Sequence, residues 1–68
     1  MNLGEKITLL RKEKGWTQED LAKLTGLSRM HISAIENGRR DPGLKTITII
    51  AQYLEVKLEE LIEGDGGQ

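Results

Sequence analysis

The sequence predicts an all-α fold, a compact bundle of five short helices, on three observations. Leu and Ile recur three and four positions apart, the period that gathers them on one side of a helix; Leu3, Ile7 and Leu10, then Ile32 and Ile35, then Ile47, Ile50 and Leu54 make such stripes. Residues that start or stop helices punctuate them: Gly15, Thr17, Gly26, Ser28, Asn37-Gly38 and Pro42. Finally, the chain has 68 residues, 37% hydrophobic but only 3% aromatic. A unit of that size buries about 60% of the surface of its unfolded chain, which leaves room for one core and no deep substrate pocket.

The first helix is expected over residues 3–14, with Gly15 as its stop. Leu9 lies roughly 120° from the Leu3/Ile7/Leu10 stripe and faces outward. Thr17 caps a second helix, its hydroxyl accepting an orphan backbone N–H, and Asp20 completes a capping box. Leu21, Ala22 and Leu24 form its buried side, and Gly26 ends it in a left-handed conformation. Ser28 caps a third helix over 29–36, with Ile32 and Ile35 inward. Asn37-Gly38 stops it, and Asn37 reads either as a left-handed helix stop or as a functional polar group. Residues 39–43 are a loop, in which Pro42 steers Asp41 away from helical geometry. A fourth helix covers 44–54, with Leu44, Ile47, Ile50, Ala51 and Leu54 on one side; the β-branched run 47–50 suits a strand, but the spacing through Leu54 outweighs that weak propensity. A fifth covers 58–62 and buries Leu58, Leu61 and Ile62. The domain is thus expected over 1–63, followed by a frayed tail at 64–68 with no apolar residue.

Composition removes several function classes. With no Cys, disulfides and thiolate metal sites are excluded, and with one His besides, a structural zinc site is not expected. No apolar run approaches the ~18 residues of a membrane span and no signal peptide is visible, so a soluble cytoplasmic domain is expected. His31 has no nucleophile to serve, and neither a phosphate-binding glycine loop nor a metal-ligand cluster is present. The expectation is a non-enzyme with no cofactor, no metal and no small-molecule ligand.

The net charge of −1 looks unfavourable for nucleic acid until it is divided along the chain. Residues 1–40 carry eight Lys or Arg against five acids, a net +3, and residues 41–68 carry two against six, a net −4. Such asymmetry marks a nucleic-acid face or ordinary scatter on a surface. The segment 18–37 decides between them. Two short helices joined by Thr25-Gly26-Leu27-Ser28 have the residue types that a helix-turn-helix needs: a small Ala22 where the helices cross, Gly26 at the turn, and apolar Leu21, Leu27, Ile32 and Ile35 to lock the second helix in place.

On these residues the chain resembles the Xre- and Cro-like helix-turn-helix family, the lambda repressor-like DNA-binding domain of phage repressors and many bacterial regulators. The resemblance runs from Leu3 to Glu63 and includes Leu10-Arg11, Gly15-Trp16-Thr17-Gln18, Leu21-Ala22, Gly26-Leu27-Ser28, Ile32-Ser33, Ile35-Glu36-Asn37-Gly38, Pro42, Leu44, Ile50-Ala51, Leu54 and Glu60-Leu61. It implies a sequence-specific regulator of double-stranded DNA, bacterial or phage-encoded and cytoplasmic. It also implies that Gln18 contacts a backbone phosphate and that Arg11 and Glu36 form a structural ion pair joining the first and third helices.

The outer side of the third helix then reads the major groove. Arg29 is assigned to base readout, with a phosphate contact as its alternative; Met30 and Ala34 offer apolar contact to a thymine methyl, and Ser33 is permissive. Asn37, Arg39 and Arg40 form one flank of a phosphate clamp and Gln18 the other, with Ser28 mainly a cap that also reaches a phosphate. Trp16 covers the junction of the first two helices, and His31 is a bland polar position beside the reading face. Ile49 and Tyr53, four apart and away from the buried stripe, suggest together with Val56 a homodimer surface suited to a palindromic operator. The alternative function is a protein-interaction module on the same fold, an antitoxin or bridging factor.

Overall fold

The computed structural model describes residues 1–62, so Glu63 and the tail expected over 64–68 lie outside the described residues. Five helices follow in order: α1 Leu3–Glu13, α2 Gln18–Thr25, α3 Arg29–Glu36, α4 Leu44–Leu54 and α5 Leu58–Ile62.

The helix starts are set by short side chains. Thr17 Oγ1 accepts from the Asp20 N–H at 3.0 Å while Asp20 Oδ2 accepts from the Thr17 N–H at 2.8 Å. Ser28 Oγ accepts from the His31 N–H at 3.0 Å. A further capping box stands at α1, where Asn2 Oδ1 takes the Glu5 N–H at 2.9 Å and Glu5 Oε1 takes the Asn2 N–H at 3.1 Å. Each cap satisfies donors that the first helical turn leaves without partners. The turn between α2 and α3 hinges on Gly26 at φ +80, a left-handed value that side chains resist. After α3 the left-handed residue is Gly38, at φ +77, while Asn37 stays right-handed at φ −86. Glycine takes this conformation at least cost, so Asn37 is not the left-handed stop.

Every helix sends residues into one core: Ile7 from α1, Leu21 and Ala22 from α2, Ile32 and Ile35 from α3, Ile47, Ile50, Ala51 and Leu54 from α4, and Leu61 from α5. Leu3, Leu10, Trp16, Leu27, Val56 and Leu58 pack around it. Fully burying one such aliphatic side chain contributes about 1.5–3 kcal/mol. In this arrangement α2 lies against α3 and α4, α1 crosses α3, and α5 closes the bundle against α1 and α4.

Three residues expected to be buried are exposed. Leu44 is 70% accessible, because it opens α4 and helical side chains lean toward the N-terminus, past the end of the packed surface. Leu24 is 40% accessible; it lies about 110° from the mean direction of Leu21 and Ala22, at ~100° per residue. Ile62 is 53% accessible, since Leu61 takes the core position at the end of the short α5. Leu9 faces outward as expected.

One close approach has no counterpart in the periodicity. Gly4 is buried in the first turn of α1, where a Cβ would collide with the backbone carbonyl of Glu36 and come within 2.8 Å of the Ile35 carbonyl oxygen. Thus α1 touches the C-terminal end of α3 backbone to backbone.

Candidate nucleic-acid interface

The third helix has two unlike sides. Ile32 and Ile35 are 1% and 2% accessible and fix the helix to the core. On the other side Arg29, Met30 and Asn37 are exposed and Ser33 and Ala34 are half-buried. Met30 is 76% accessible, so nothing in the monomer uses this large apolar side chain. Arg39 and Arg40 follow on the exposed loop. Arg29, Arg39 and Arg40 form no ion pair among the described residues, which leaves three cationic groups on and just beyond one helix. Asn37 Nδ2 donates to Ser33 Oγ at 3.3 Å, so these two polar residues of the outer side are linked.

Behind this face stands a buried polar network. Arg11 Nε donates to Glu36 Oε2 at 2.8 Å and Arg11 Nη2 to Glu36 Oε1 at 3.0 Å, a bidentate pair. Their side chains are 8% and 4% accessible. Arg11 Nη1 also donates to the Trp16 carbonyl at 2.7 Å, tying in the turn between α1 and α2. Gln18 does not stand free at the start of α2: its Nε2 donates to Glu36 Oε1 at 3.0 Å. Among the described residues every buried side-chain nitrogen or oxygen has a partner.

Burial is the largest single influence on the Glu36 carboxyl and pushes its pKa up. Hydrogen bonds from Arg11, Gln18 and Thr8, with the Arg11 charge, outweigh it and hold the group below the usual glutamate value of 4.5. Asp20 is likewise lowered by its bonds to Thr17, and Glu55 by Lys14, whose Nζ lies 2.8 Å away. A carboxyl with a folded pKa below its unfolded one contributes stability above the unfolded pKa, and that contribution is lost as pH falls through the folded value. The urea midpoint is therefore expected to be flat from about pH 6 to 8 and to drop steadily below about pH 4.5; a midpoint that rises on acidification would contradict this assignment.

Trp16 is half-buried over the α1–α2 junction, with Lys14 Nζ 5.5 Å from its ring centre. Ser28 is exposed and His31 half-buried beside the reading face. The residues assigned to a dimer surface sit unequally. Tyr53 is 41% accessible, whereas Ile49 is half-buried and Val56 packs against the core. Val56 also lines a shallow apolar groove with Lys6, Leu9, Leu10 and Glu60. No helix among the described residues is long and apolar enough to cross a membrane.

Sequence reasoning misses the Gly4 approach, the Asn2 capping box and the Gln18–Glu36 bond. The Asn2/Glu5 spacing is a legible signal of the same kind as Thr17/Asp20. The other two depend on which helix ends meet in space.

Comparison with known proteins agrees with this geometry. The model of the helix-turn-helix family matches residues 7–61. An HTH-type transcriptional regulator of Sinorhizobium fredii, y4dJ, itself uncharacterized, is 40% identical over 60 residues, which cover 88% of this chain and 78% of that protein. The P22 c2 repressor, solved in complex with a synthetic operator, is similar at a TM-score of 0.89 and 28% identity, covering 96% of this chain and 98% of that one. The restriction-modification controller protein C.AhdI of Aeromonas hydrophila gives a TM-score of 0.84 at 37% identity over 88% of this chain and 91% of its own. The turn at Gly26, the locked second helix and the match over most of its length place this chain in the Xre- and Cro-like helix-turn-helix family.

Proposed function

We propose that this chain is a sequence-specific, double-stranded-DNA-binding transcriptional regulator, a small cytoplasmic repressor that binds a palindromic operator as a homodimer. The observation that carries this reading is the outer side of α3: an exposed Arg29 and Met30 on a helix locked from behind, with Arg39 and Arg40 just beyond its end and outside any ion pair among the described residues. Laid in the major groove, such a helix reads bases from its N-terminal turns. Arg29 takes guanine, Met30 and Ala34 meet a thymine methyl, and Ser33 accepts several bases. Gln18 and Ser28 at helix starts, with Asn37, Arg39 and Arg40, hold phosphates and set the register. The work is binding, not catalysis.

Selection of bound sequences from a random duplex pool tests the reading, and recovery of a palindrome with half-sites about one DNA turn (~34 Å) apart is the expected result. Within the selected site Arg29→Ala is expected to cost about 1–3 kcal/mol and to relax preference at one base pair per half-site. By contrast, Arg39→Ala weakens all sequences alike and lowers the salt slope by about 1 for each phosphate that a subunit no longer neutralises. An Arg29→Ala variant with unchanged preference would favour the interaction-module alternative.

Dimerisation rests on Tyr53, with Ile49 and Val56 beside it. Few cationic groups per subunit mean few phosphate contacts, so tight binding needs two subunits. Sedimentation equilibrium at tens of micromolar is expected to show dimer for the wild type and a shift toward monomer for Tyr53→Glu; a wild-type monomer at that concentration removes this part of the proposal.

A further inference from the structure

Resting on the reading above, we infer that Glu36 is a positioning residue for DNA binding: it fixes which end of the Gln18 amide faces the phosphate. A glutamine side chain has a donor end and an acceptor end of nearly the same shape, and only the donor end serves a phosphate. Nothing within Gln18 makes that choice.

Glu36 makes it. Its carboxyl is held ionised, and an ionised carboxylate only accepts. The 3.0 Å contact between Glu36 Oε1 and Gln18 therefore exists only with Nε2 turned toward the carboxylate. The amide nitrogen carries two hydrogens in one plane, roughly 120° apart. One is used by Glu36, and the second is left to donate to a phosphate at this first residue of α2, where backbone N–H groups already favour an anion. The acceptor is itself immobile: its side chain is 4% accessible and is gripped by Arg11 at 2.8 and 3.0 Å, while the Trp16 carbonyl holds Arg11 at 2.7 Å. A chain of hydrogen bonds from Trp16 through Arg11 and Glu36 thus ends on the amide at the start of α2. Arg11 also cancels the carboxylate charge, so Glu36 orients the donor without a net repulsion of the phosphate.

A double-mutant cycle on the full chain tests this with one duplex of selected sequence. Gln18→Ala is expected to weaken binding about threefold to tenfold per subunit, the range of one hydrogen bond. Glu36→Gln, whose own amide both donates and accepts, lets Gln18 turn either way and is expected to weaken binding by a similar factor. The inference requires that Glu36→Gln cost almost nothing further in the Gln18→Ala background. An equal loss in both backgrounds would make Glu36 purely structural and overturn it. If Glu36→Gln does not fold, the wild-type protein decides by NMR. The Gln18 side-chain amide proton bonded to Glu36 is expected to lie downfield of the ordinary glutamine position, with its partner shifting on adding duplex; a Gln18 amide pair at ordinary positions and untouched by DNA overturns the inference. Wild type that binds no duplex at all refutes the DNA reading itself, whereas wild type that binds and a Gln18→Ala variant that binds equally well refute only this step.

Discussion

Arg11→Met is expected to lower folding stability by about 3–5 kcal/mol, measured by urea unfolding at neutral pH. Methionine keeps much of the aliphatic stem, so the loss isolates the guanidinium. Without it, Glu36 remains a carboxylate whose side chain is 4% accessible, with the Gln18 amide at 3.0 Å as its main remaining donor. The Trp16 carbonyl loses its 2.7 Å donor as well. Domains are stable by only about 5–15 kcal/mol in total, so one substitution removes a large part of the margin. Because an unpaired buried charge causes most of this loss, Arg11→Met combined with Glu36→Leu is expected to recover much of it. A loss below about 1 kcal/mol for the single variant would show that the pair is solvated in solution.

The same variant changes the response to pH. In the wild type, hydrogen bonds and the Arg11 charge hold Glu36 below its ordinary value against burial. Once Arg11 is gone, burial is the dominant influence and the carboxyl moves up. A folded pKa above the unfolded one gives stability that is present at low pH and lost as pH rises through the folded value. Acidification should therefore narrow the gap between Arg11→Met and wild type.

These effects explain why some of the site is legible in the sequence and some is not. Helix bounds follow from caps and stops, which act within four residues: Thr17 with Asp20, Ser28 with His31, and Gly26 at its left-handed turn are local chemistry. The inward Ile32 and Ile35 follow from period alone. Leu24, Leu44 and Ile62 show where period fails, because it names a helix side without saying how far the covering neighbour extends. Arg29 and Met30 emerge by subtraction, as the side left over once the core side is known. Gln18 is legible as a helix start, but its bond to Glu36 spans eighteen positions, and no local pattern encodes such a meeting. For the same reason only the family resemblance pairs Arg11 with Glu36 in advance.

Gly4→Ala is the sharpest test of how α1 holds the recognition helix. On an open helix surface this change stabilises, since alanine is favoured over glycine by roughly 0.8–1 kcal/mol in a helix interior. Here the added Cβ meets the Glu36 carbonyl oxygen, its carbonyl carbon at 2.8 Å and the Ile35 carbonyl oxygen at 2.8 Å. These are backbone atoms at the end of α3, so no flexible side chain can swing aside. Either α1 or the last turn of α3 must move, and overpacking of this kind costs typically about 1–3 kcal/mol and occasionally more. The expected outcome, after the propensity gain is offset, is a net loss of about 1–2 kcal/mol by urea unfolding. Because Glu36 lies at the contact, the shift also disturbs the Arg11 and Gln18 bonds. The fraction that stays folded should therefore bind DNA less tightly than wild type at equal folded concentration. A stabilised Gly4→Ala protein with wild-type affinity would mean that the two helix ends stand apart in solution and that Arg11 with Glu36 alone couples α1 to the reading helix.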